Sequence, residues 1–491
     1  MFGRRTLRAT LALALLLAQA PLARGQGAEA SFSPWDDCEA QALAVLDRAQ
    51  RTVDVAQYNV RNDVFLVKLA ELRARGVRVR LVVDAKNAAN PWNVLDDVFE
   101  AQGFDIVRHE NTRHPYAIMH HKFTVVDETW VMTGSYNWNE TAQRVNDENL
   151  VVLRDPALAA AYTREFEALR GGPEVRGPTT SGPYTVRFSP RDDARGGLIA
   201  ALRGAQRRIR VAMFSFTDAP VARELAAAAR RGVAVELVVE EKQAKNTRAD
   251  ETVAAGGATV HVVANRSSPH SAMHQKFAVV DDRLVVTGAC NWTFTALTHS
   301  NEDLLFADDP ALARAYTRAF GELVARYVPQ AFDPDAYGFE GEGRDTIRLN
   351  LVVRCDRTRW GEAVVLVGEH PALGGWDPAR GVVLTTHADL FPIWTGKATL
   401  PRGASTAWKL VLRDADGNVR WEDGWDRAFD GSPRGVAALL DADFRAPPEP
   451  APTPDGDDGA SGTGHAGGST PADAGTPPDP VATPGSGQPG E

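Results

Sequence analysis

The stretch His120-His121-Lys122-Phe123-Thr124-Val125-Val126-Asp127, trailed by Gly134-Ser135-Tyr136-Asn137, occurs twice in this chain. The second copy reads His274-Gln275-Lys276-Phe277-Ala278-Val279-Val280-Asp281, then Gly288-Ala289-Cys290-Asn291. Acidic residues follow at Glu148 and Glu302. The Val-rich run in each copy predicts a strand, on which residues two apart face the same side. His120 then projects with Lys122, and His274 with Lys276. A Gly-containing turn after the next strand brings Asn137, or Asn291, beside them. Histidine serves proton transfer or nucleophilic attack near neutral pH. Lysine and asparagine supply donors for phosphate oxygens. A carboxylate can orient an imidazole through its other ring nitrogen. A lone strand histidine is usually a satisfied core or surface residue. One chance match to HxKxxxxD has an expectation on the order of 0.01 in a chain of this composition. Two matches in register, each trailed by Gly and Asn, make chance negligible. The chain holds eight lysines and 46 arginines, yet both motifs carry lysine.

Outward from the motifs the repetition continues. Phe32-Ser33-Pro34 returns as Phe188-Ser189-Pro190, and the strand ending Ala56-Gln57-Tyr58 returns as the one ending Ala212-Met213-Phe214. Helical patterns close at Arg75-Gly76-Val77 and Arg231-Gly232-Val233, and the last helices open Asp155-Pro156-Ala157-Leu158 and Asp309-Pro310-Ala311-Leu312. Strands alternating with helices predict an α/β fold. The duplication predicts two halves related by a pseudo-twofold axis. The first half spans residues 27–172 and the second 184–328. Linkers are expected at Gly171–Pro183 and from Pro329 to about Asp345, by their Gly, Pro and Asp content. From 346 to 445 short alternating strands with Gly and Pro turns predict an all-β sandwich. Residues 446–491 have almost no apolar side chain and are expected to be disordered.

The remaining composition sets limits. Of 491 residues, 44% are hydrophobic, so most of the chain can bury a core. The net charge of −10 argues against a broad grip on nucleic acid, which needs a basic face, but not against a local basic cleft. Arg4, Arg5 and Arg8 precede the apolar run Ala9–Ala20, with small residues at Ala23 and Gly25. That pattern predicts a cleaved export signal over residues 1–26 and a secreted or periplasmic protein with no transmembrane segment in its mature form. Cys38, Cys290 and Cys355 give neither a disulfide framework nor zinc spacing, though one disulfide could form after export.

HxKxxxxD followed by GSxN, twice over Ser31 to Tyr327, resembles the phospholipase D superfamily, nearest its compact nuclease and cardiolipin-hydrolase branch. The resemblance implies one active site shared by the two halves and a ping-pong reaction through a phosphohistidine. Matched positions imply His120 as nucleophile and His274 as general acid and base, with the reverse order as alternative. Lys122, Lys276, Asn137 and Asn291 would bind phosphate oxygens. Asp127 and Asp281 complete the motifs, and Glu148 and Glu302 would orient the histidines. No metal or cofactor is implied. Ala289 departs from the GSxN serine, which puts the fine geometry of the second half in doubt. His114, His121 and His270 read as surface or rim histidines.

The C-terminal segment carries, in order, Trp360-Gly361-Glu362, Leu373-Gly374-Gly375-Trp376-Asp377-Pro378, Trp408-Lys409-Leu410, Trp421-Glu422 and Asp426-Arg427. It resembles a starch-binding module of carbohydrate-binding family twenty. That implies a glucose-stacking site on Trp376 and Trp421 beside Lys409, and a second site at Trp360 with a partner near Phe391. Asp426 stands where the family usually has Asn. Trp394 and Trp408 are expected in the core.

Together these features predict an exported phosphodiesterase acting on phospholipid and tethered to starch or a related α-glucan. A nuclease on DNA or RNA is the main rival. Residues 27–345 hold 37 Lys plus Arg against 44 Asp plus Glu, a balance of −7 that leans away from a polyanion. A phosphatidyltransferase and a non-enzymatic glycan binder are further alternatives, and the intact motif pairs argue against the last.

Overall fold

The computed structural model describes residues 27–91, 93–245, 247–339, 345–430 and 437–445. The expected export signal and the expected disordered tail lie outside the described residues.

The first half is one mixed sheet with strands β1 (Ala28–Ser33), β2 (Thr52–Gln57), β3 (Arg78–Asp84), β4 (Asp105–His109), β5 (Lys122–Val126), β6 (Trp130–Gly134) and β7 (Glu148–Arg154). Their order across the sheet is β1-β7-β6-β5-β2-β3-β4. β2, β3 and β4 run parallel, while β5, β6 and β7 are antiparallel neighbours. The second half adds β8 (Thr179–Ser181) at the edge. It then repeats the plan with β9 (Tyr184–Ser189), β10 (Arg208–Met213), β11 (Ala234–Glu240), β12 (Thr259–Val263), β13 (Lys276–Val280), β14 (Leu284–Thr287) and β15 (Glu302–Asp308). The order β12-β11-β10-β13-β14-β15-β9-β8 is the first sheet's order read backwards with one strand added.

Alternation along the strands explains how the halves meet. Val53 and Val55 of β2 point to a core under the first half's own helices. Phe123 and Val125 of β5 point the other way. There they meet their counterparts Phe277 and Val279 of β13, with Tyr162, Phe166, Tyr316 and Phe320 from helices Pro156–Leu169 and Pro310–Tyr327. One apolar core therefore welds the two sheets together. Both helices start alike: Asp155 and Asp309 accept backbone N–H groups of the first turn, and proline fills the position where no donor is needed.

The segments expected as linkers are partly built in. Thr179–Ser181 forms β8, hairpinned to β9. Phe332, Tyr337 and Phe339 are buried in the shared core, so residues 329–339 are packed rather than loose. Cys38, Cys290 and Cys355 are all buried and unpaired, so the disulfide considered above is absent among the described residues.

The C-terminal domain has two sheets. One is β16 (Thr346–Arg354) between β19 (Ile393–Pro401) and β23 (Ala437–Asp443). The other orders β18 (Val382–Val383), β17 (Ala363–Gly368), β20 (Thr406–Arg413) and β21 (Val419–Trp421), with β22 (Arg427–Phe429) also on β20. Leu349, Leu351, Val364, Leu366, Leu410 and Leu412 fill the space between them with Trp394 and Trp408, which are core residues as expected. Among the described residues no helix is long and apolar enough to cross a membrane.

Candidate active site

His120 and Lys122 enter β5, and His274 and Lys276 enter β13, at equivalent edges of the two sheets. Backbone pairing then brings the two edges together. The His120 N–H donates to the Asn301 carbonyl at 3.0 Å, and the His274 N–H to the Asp147 carbonyl at 3.0 Å. The next residues are Glu302 and Glu148. The carboxylates therefore cross over: Glu302 Oε1 is 2.7 Å from His120 Nδ1, and Glu148 Oε2 is 2.7 Å from His274 Nδ1. Each histidine is oriented by the glutamate of the other half. Both glutamates are fully buried, and His120 and His274 are 2% and 8% exposed. Glu148 also accepts from Asn146 Nδ2 at 3.0 Å.

With Nδ1–H committed to a carboxylate, each ring presents Nε2 to the site. Lys276 Nζ lies 2.9 Å from His274 Nε2 and donates to the His274 carbonyl at 3.1 Å. Lys122 Nζ donates to the His120 carbonyl at 3.0 Å. Two aromatic rings wall the pair. Tyr58 meets His120 edge-on at 4.9 Å and Phe214 meets His274 at 4.6 Å. Lys122 and Lys276 lie 5.2 and 5.1 Å from the same ring centroids. Burial, then the lysine charges, holds the His120 imidazole well below its ordinary value. Burial, reinforced by Lys276 and opposed by Glu148, pushes His274 down to about 4. Both rings are neutral at pH 7, and the His274 Nε2 lone pair accepts from Lys276 Nζ. A bound phosphodiester anion would offset the two ammonium charges and raise the ring that must carry a proton.

Asn137 and Asn291 follow the strand after each motif. Their Oδ1 atoms are buried without a hydrogen-bond partner, at equivalent positions in the two halves. An unsatisfied buried acceptor costs about 1–3 kcal/mol, and this pair calls for a hydrogen-bond donor; only the Nδ2 groups of these amides can donate to phosphate oxygens. The motif glycines serve the backbone. Gly134 and Gly288 have φ of 143° and 134°, and a Cβ there would stand 2.3 Å from the Asn149 and Asp303 carbonyl oxygens.

Asp127 and Asp281 do not join the site. Asp127 accepts the N–H groups of Gln50, Arg51 and Thr52 at 2.8–2.9 Å. Asp281 does the same for Gln206, Arg207 and Arg208 at 2.7–3.0 Å. Each sits in the hairpin turn at the far end of its strand, with φ of 52° and 54°. Five strand residues, ~16 Å, separate it from the lysine. The aspartates fasten the start of β2 and of β10 rather than orienting an imidazole.

His121 is likewise not a rim residue. Alternation on β5 turns it away from His120 into the core between the halves, fully buried. Its Nε2 is 3.0 Å from Glu165 and its Nδ1 3.5 Å from Asp303, while Glu165 also pairs with Arg191. Asp303 additionally accepts from Thr133 and Tyr162. The equivalent place across the pseudo-twofold axis holds neutral groups. Asn149 donates to Gln275 at 2.8 Å and accepts from Thr287 and Tyr316. Ser135 Oγ, where the second half has Ala289, accepts from the Asn149 N–H at 2.9 Å. His270 is exposed and His114 half-buried. Tyr58 and Phe214 were legible as aromatics closing the repeated strands; the His121–Asp303 contact had no local signal. Among the described residues no group of three or more His, Cys, Asp or Glu is arranged to hold a metal ion.

Residues 42–170 and 198–324 match the family described as "Cardiolipin synthase, PLD-like domain". The chain belongs to this PLD-like family. Residues 346–436 match the family described as "Starch binding domain". A protein named mitochondrial cardiolipin hydrolase from Chlamydomonas reinhardtii is 34% identical over 127 residues, 26% of this chain and 55% of that protein. A phospholipase D from Rickettsia conorii is 27% identical over 135 residues, 28% of this chain and 65% of that protein. The chain thus spans little more than half to two thirds of these relatives' lengths. A phospholipase D family member from Salmonella typhimurium, Nuc, is 28% identical with a TM-score of 0.26, covering 28% of this chain and 91% of its own.

In the starch-binding domain, Trp376 and Trp421 lie 6.4 Å apart with planes tilted by 42°. Both stand on the outer face of the β17–β20–β21 sheet. Trp376 packs on Val365, Val367 and Val411, and Trp421 is paired opposite Val411. Lys409, two residues from Val411, shares that face, and its Nζ is 3.7 Å from Asp426. Trp360 is fully exposed on a turn, and Phe391 is half-exposed in the loop that meets the first half.

Proposed function

We propose that this protein is an exported phosphodiesterase that hydrolyses phospholipid phosphodiesters through a phosphohistidine, with its C-terminal domain holding it to starch or a related α-glucan. The observation that carries this reading is the crossed pair: two neutral histidines, each held through Nδ1 by the other half's glutamate, with a lysine beside each. His120 Nε2 attacks phosphorus. Binding of the phosphodiester anion raises His274, whose Nε2 takes up a proton from solvent; the ester P–O bond then breaks, and the leaving alkoxide takes that proton from His274 Nε2. Water, deprotonated by His274 Nε2, then attacks phosphorus; a P–O bond forms, the P–N bond breaks, and its electron pair returns to His120 Nε2. Lys122, Lys276, Asn137 and Asn291 bind the phosphate oxygens as charge builds on them. The names of the relatives, a cardiolipin hydrolase and a phospholipase D, support a lipid, as does the net charge of −7 over residues 27–345. The apolar run within residues 1–26 supports export.

The purified protein should be incubated in parallel with phosphatidylcholine, cardiolipin and single-stranded DNA, alongside His120→Ala. Turnover of a lipid that His120→Ala abolishes is the expected result. Cleavage of DNA alone would replace the substrate with nucleic acid. Transfer to an added alcohol in preference to water would make it a transferase. Full activity in His120→Ala would sink the mechanism.

A further inference from the structure

Among the described residues, one of the two equivalent rims of the site is covered and the other is open. The turn Glu140–Arg144 and Val145 precede Glu148, as Phe294–Thr298 and His299 precede Glu302. On the second-half side this surface is open. Phe294 is 51% exposed, and His299 stacks obliquely on Phe294 and His114 at 5.2 and 4.9 Å. On the first-half side Val145 is buried under Val352, Leu390 and Ile393 of the starch-binding domain. Polar contacts ring that apolar plug. Arg144 Nη1 donates to Thr385 Oγ1 at 2.8 Å, and Arg61 pairs with Asp389 at 3.2 Å. Lys397 Nζ donates to the carbonyls of Trp35 and Asp36 at 3.4 and 3.3 Å, and Arg348 pairs with Glu322.

Val145 begins a four-residue strap that ends on the catalytic pair. Its carbonyl accepts from Asn265 Nδ2 at 2.7 Å. Asp147, fully buried, accepts from Arg326 Nη1 at 2.6 Å and Tyr327 Oη at 2.5 Å. Glu148 then holds His274. The matching strap in the second half is held across the two halves, with Asn111 Nδ2 donating to Asn301 Oδ1 at 2.8 Å.

We propose that the starch-binding domain is a positioning element of the active site: by seating Leu390 and its neighbours on Val145, it holds the Val145–Glu148 strap so that Glu148 stays on His274. This rests on the reading of His120 and His274 as the reacting pair. It gives the C-terminal domain a role in proton transfer besides its role in adhesion. It also singles out one histidine, because among the described residues the starch-binding domain seats on the strap that leads to Glu148. The domain can do both because its two outer faces are separate. Val352 and Lys397 face the catalytic halves from the β16–β19 sheet, and Trp376 and Trp421 stand on the opposite sheet.

The test uses the full chain carrying Leu390→Asp, with Val145→Ala plus Leu390→Ala as a gentler pair and Leu390→Met as the conservative control. Retention on starch shows that the C-terminal domain is still folded. With bis(p-nitrophenyl) phosphate the first-turnover burst needs no proton for its leaving group, so the burst rate should stay within about twofold. The steady state, which needs His274 as base, should fall at least about tenfold. A second readout does not depend on activity. Titration of the His274 ring by NMR should shift from its depressed position near 4, because a loosened strap admits water, which relieves the burial that lowers the ring, and draws away Glu148, which raises it. The groups facing that ring are Glu148, Lys276, Lys122 and His120, and none of them is altered in these variants. Leu390→Met should restore both readouts. Steady-state rate and His274 titration both unchanged in Leu390→Asp would overturn the proposal. If the wild type turns over no phosphodiester, the proposed activity fails, and the NMR titration alone decides the positioning role.

Discussion

Glu148 sits in one half and His274 in the other, so neither half can orient its own imidazole. A carboxylate at 2.7 Å from Nδ1 fixes the tautomer and offsets the charge that the ring gains during proton transfer. Glu148→Gln keeps an acceptor but removes that charge. Turnover should fall by about 10²–10⁴-fold with little change in the melting temperature. Asp127→Ala makes the opposite prediction. It removes the acceptor of three backbone N–H groups at the start of β2, two of them open to water, which should cost about 1 kcal/mol in urea titrations, while kcat of the folded fraction stays within about threefold. A collapse of kcat in Asp127→Ala without loss of stability would return that residue to the catalytic set. The two substitutions separate the motif's carboxylates into one that holds backbone and one, outside the motif, that holds the histidine.

Strand β5 shows how a period of two sorts chemistry from packing. His120 and Lys122 face the site, while His121 and Phe123 face the core between the halves. His121 was misplaced at the rim when read alone, because histidine's identity does not reveal its partner. Alternation turns it to the face opposite His120, and there it meets Asp303, 182 residues later, which no local pattern shows. Helix Pro156–Leu169 contributes Glu165 to the same cluster, paired with Arg191. His121→Gln should cost about 1–3 kcal/mol, since buried Asp303 keeps Thr133 and Tyr162 but loses its imidazole partner. The double variant His121→Gln with Asp303→Asn copies the neutral Gln275–Asn149 pair of the other side. It should recover more than half of that loss in a double-mutant cycle. Additive losses would show that the two residues act independently.

At the scale of the molecule, one apolar core joins the two halves, and a β-sandwich is fastened to the first by Val145, Leu390 and Ile393. The sandwich turns its other face outward. Trp376 and Trp421, tilted by 42°, present two flat surfaces suited to the apolar faces of successive sugar rings. Trp376→Ala with Trp421→Ala should reduce retention on starch at least tenfold without shifting the unfolding midpoint by more than about two degrees, because neither ring lies in the sandwich core. Undiminished retention would move glucan recognition elsewhere, with exposed Trp360 the next residue to test. The duplication, the α/β class, the two His-Lys pairs and the aromatic-rich sandwich were all legible in the linear chain. Each is written in local periodicity or in residues a few positions apart, and a repeat shows itself by comparison with itself. Which glutamate serves which histidine, the burial of His121, the structural role of the motif aspartates and the seating of the sandwich on Val145 were decided only by the tertiary structure. Those contacts join residues from about 75 to 250 positions apart. They depend on how two sheets and a third domain pack, and burial and packing are properties of the assembled chain rather than of any stretch of it.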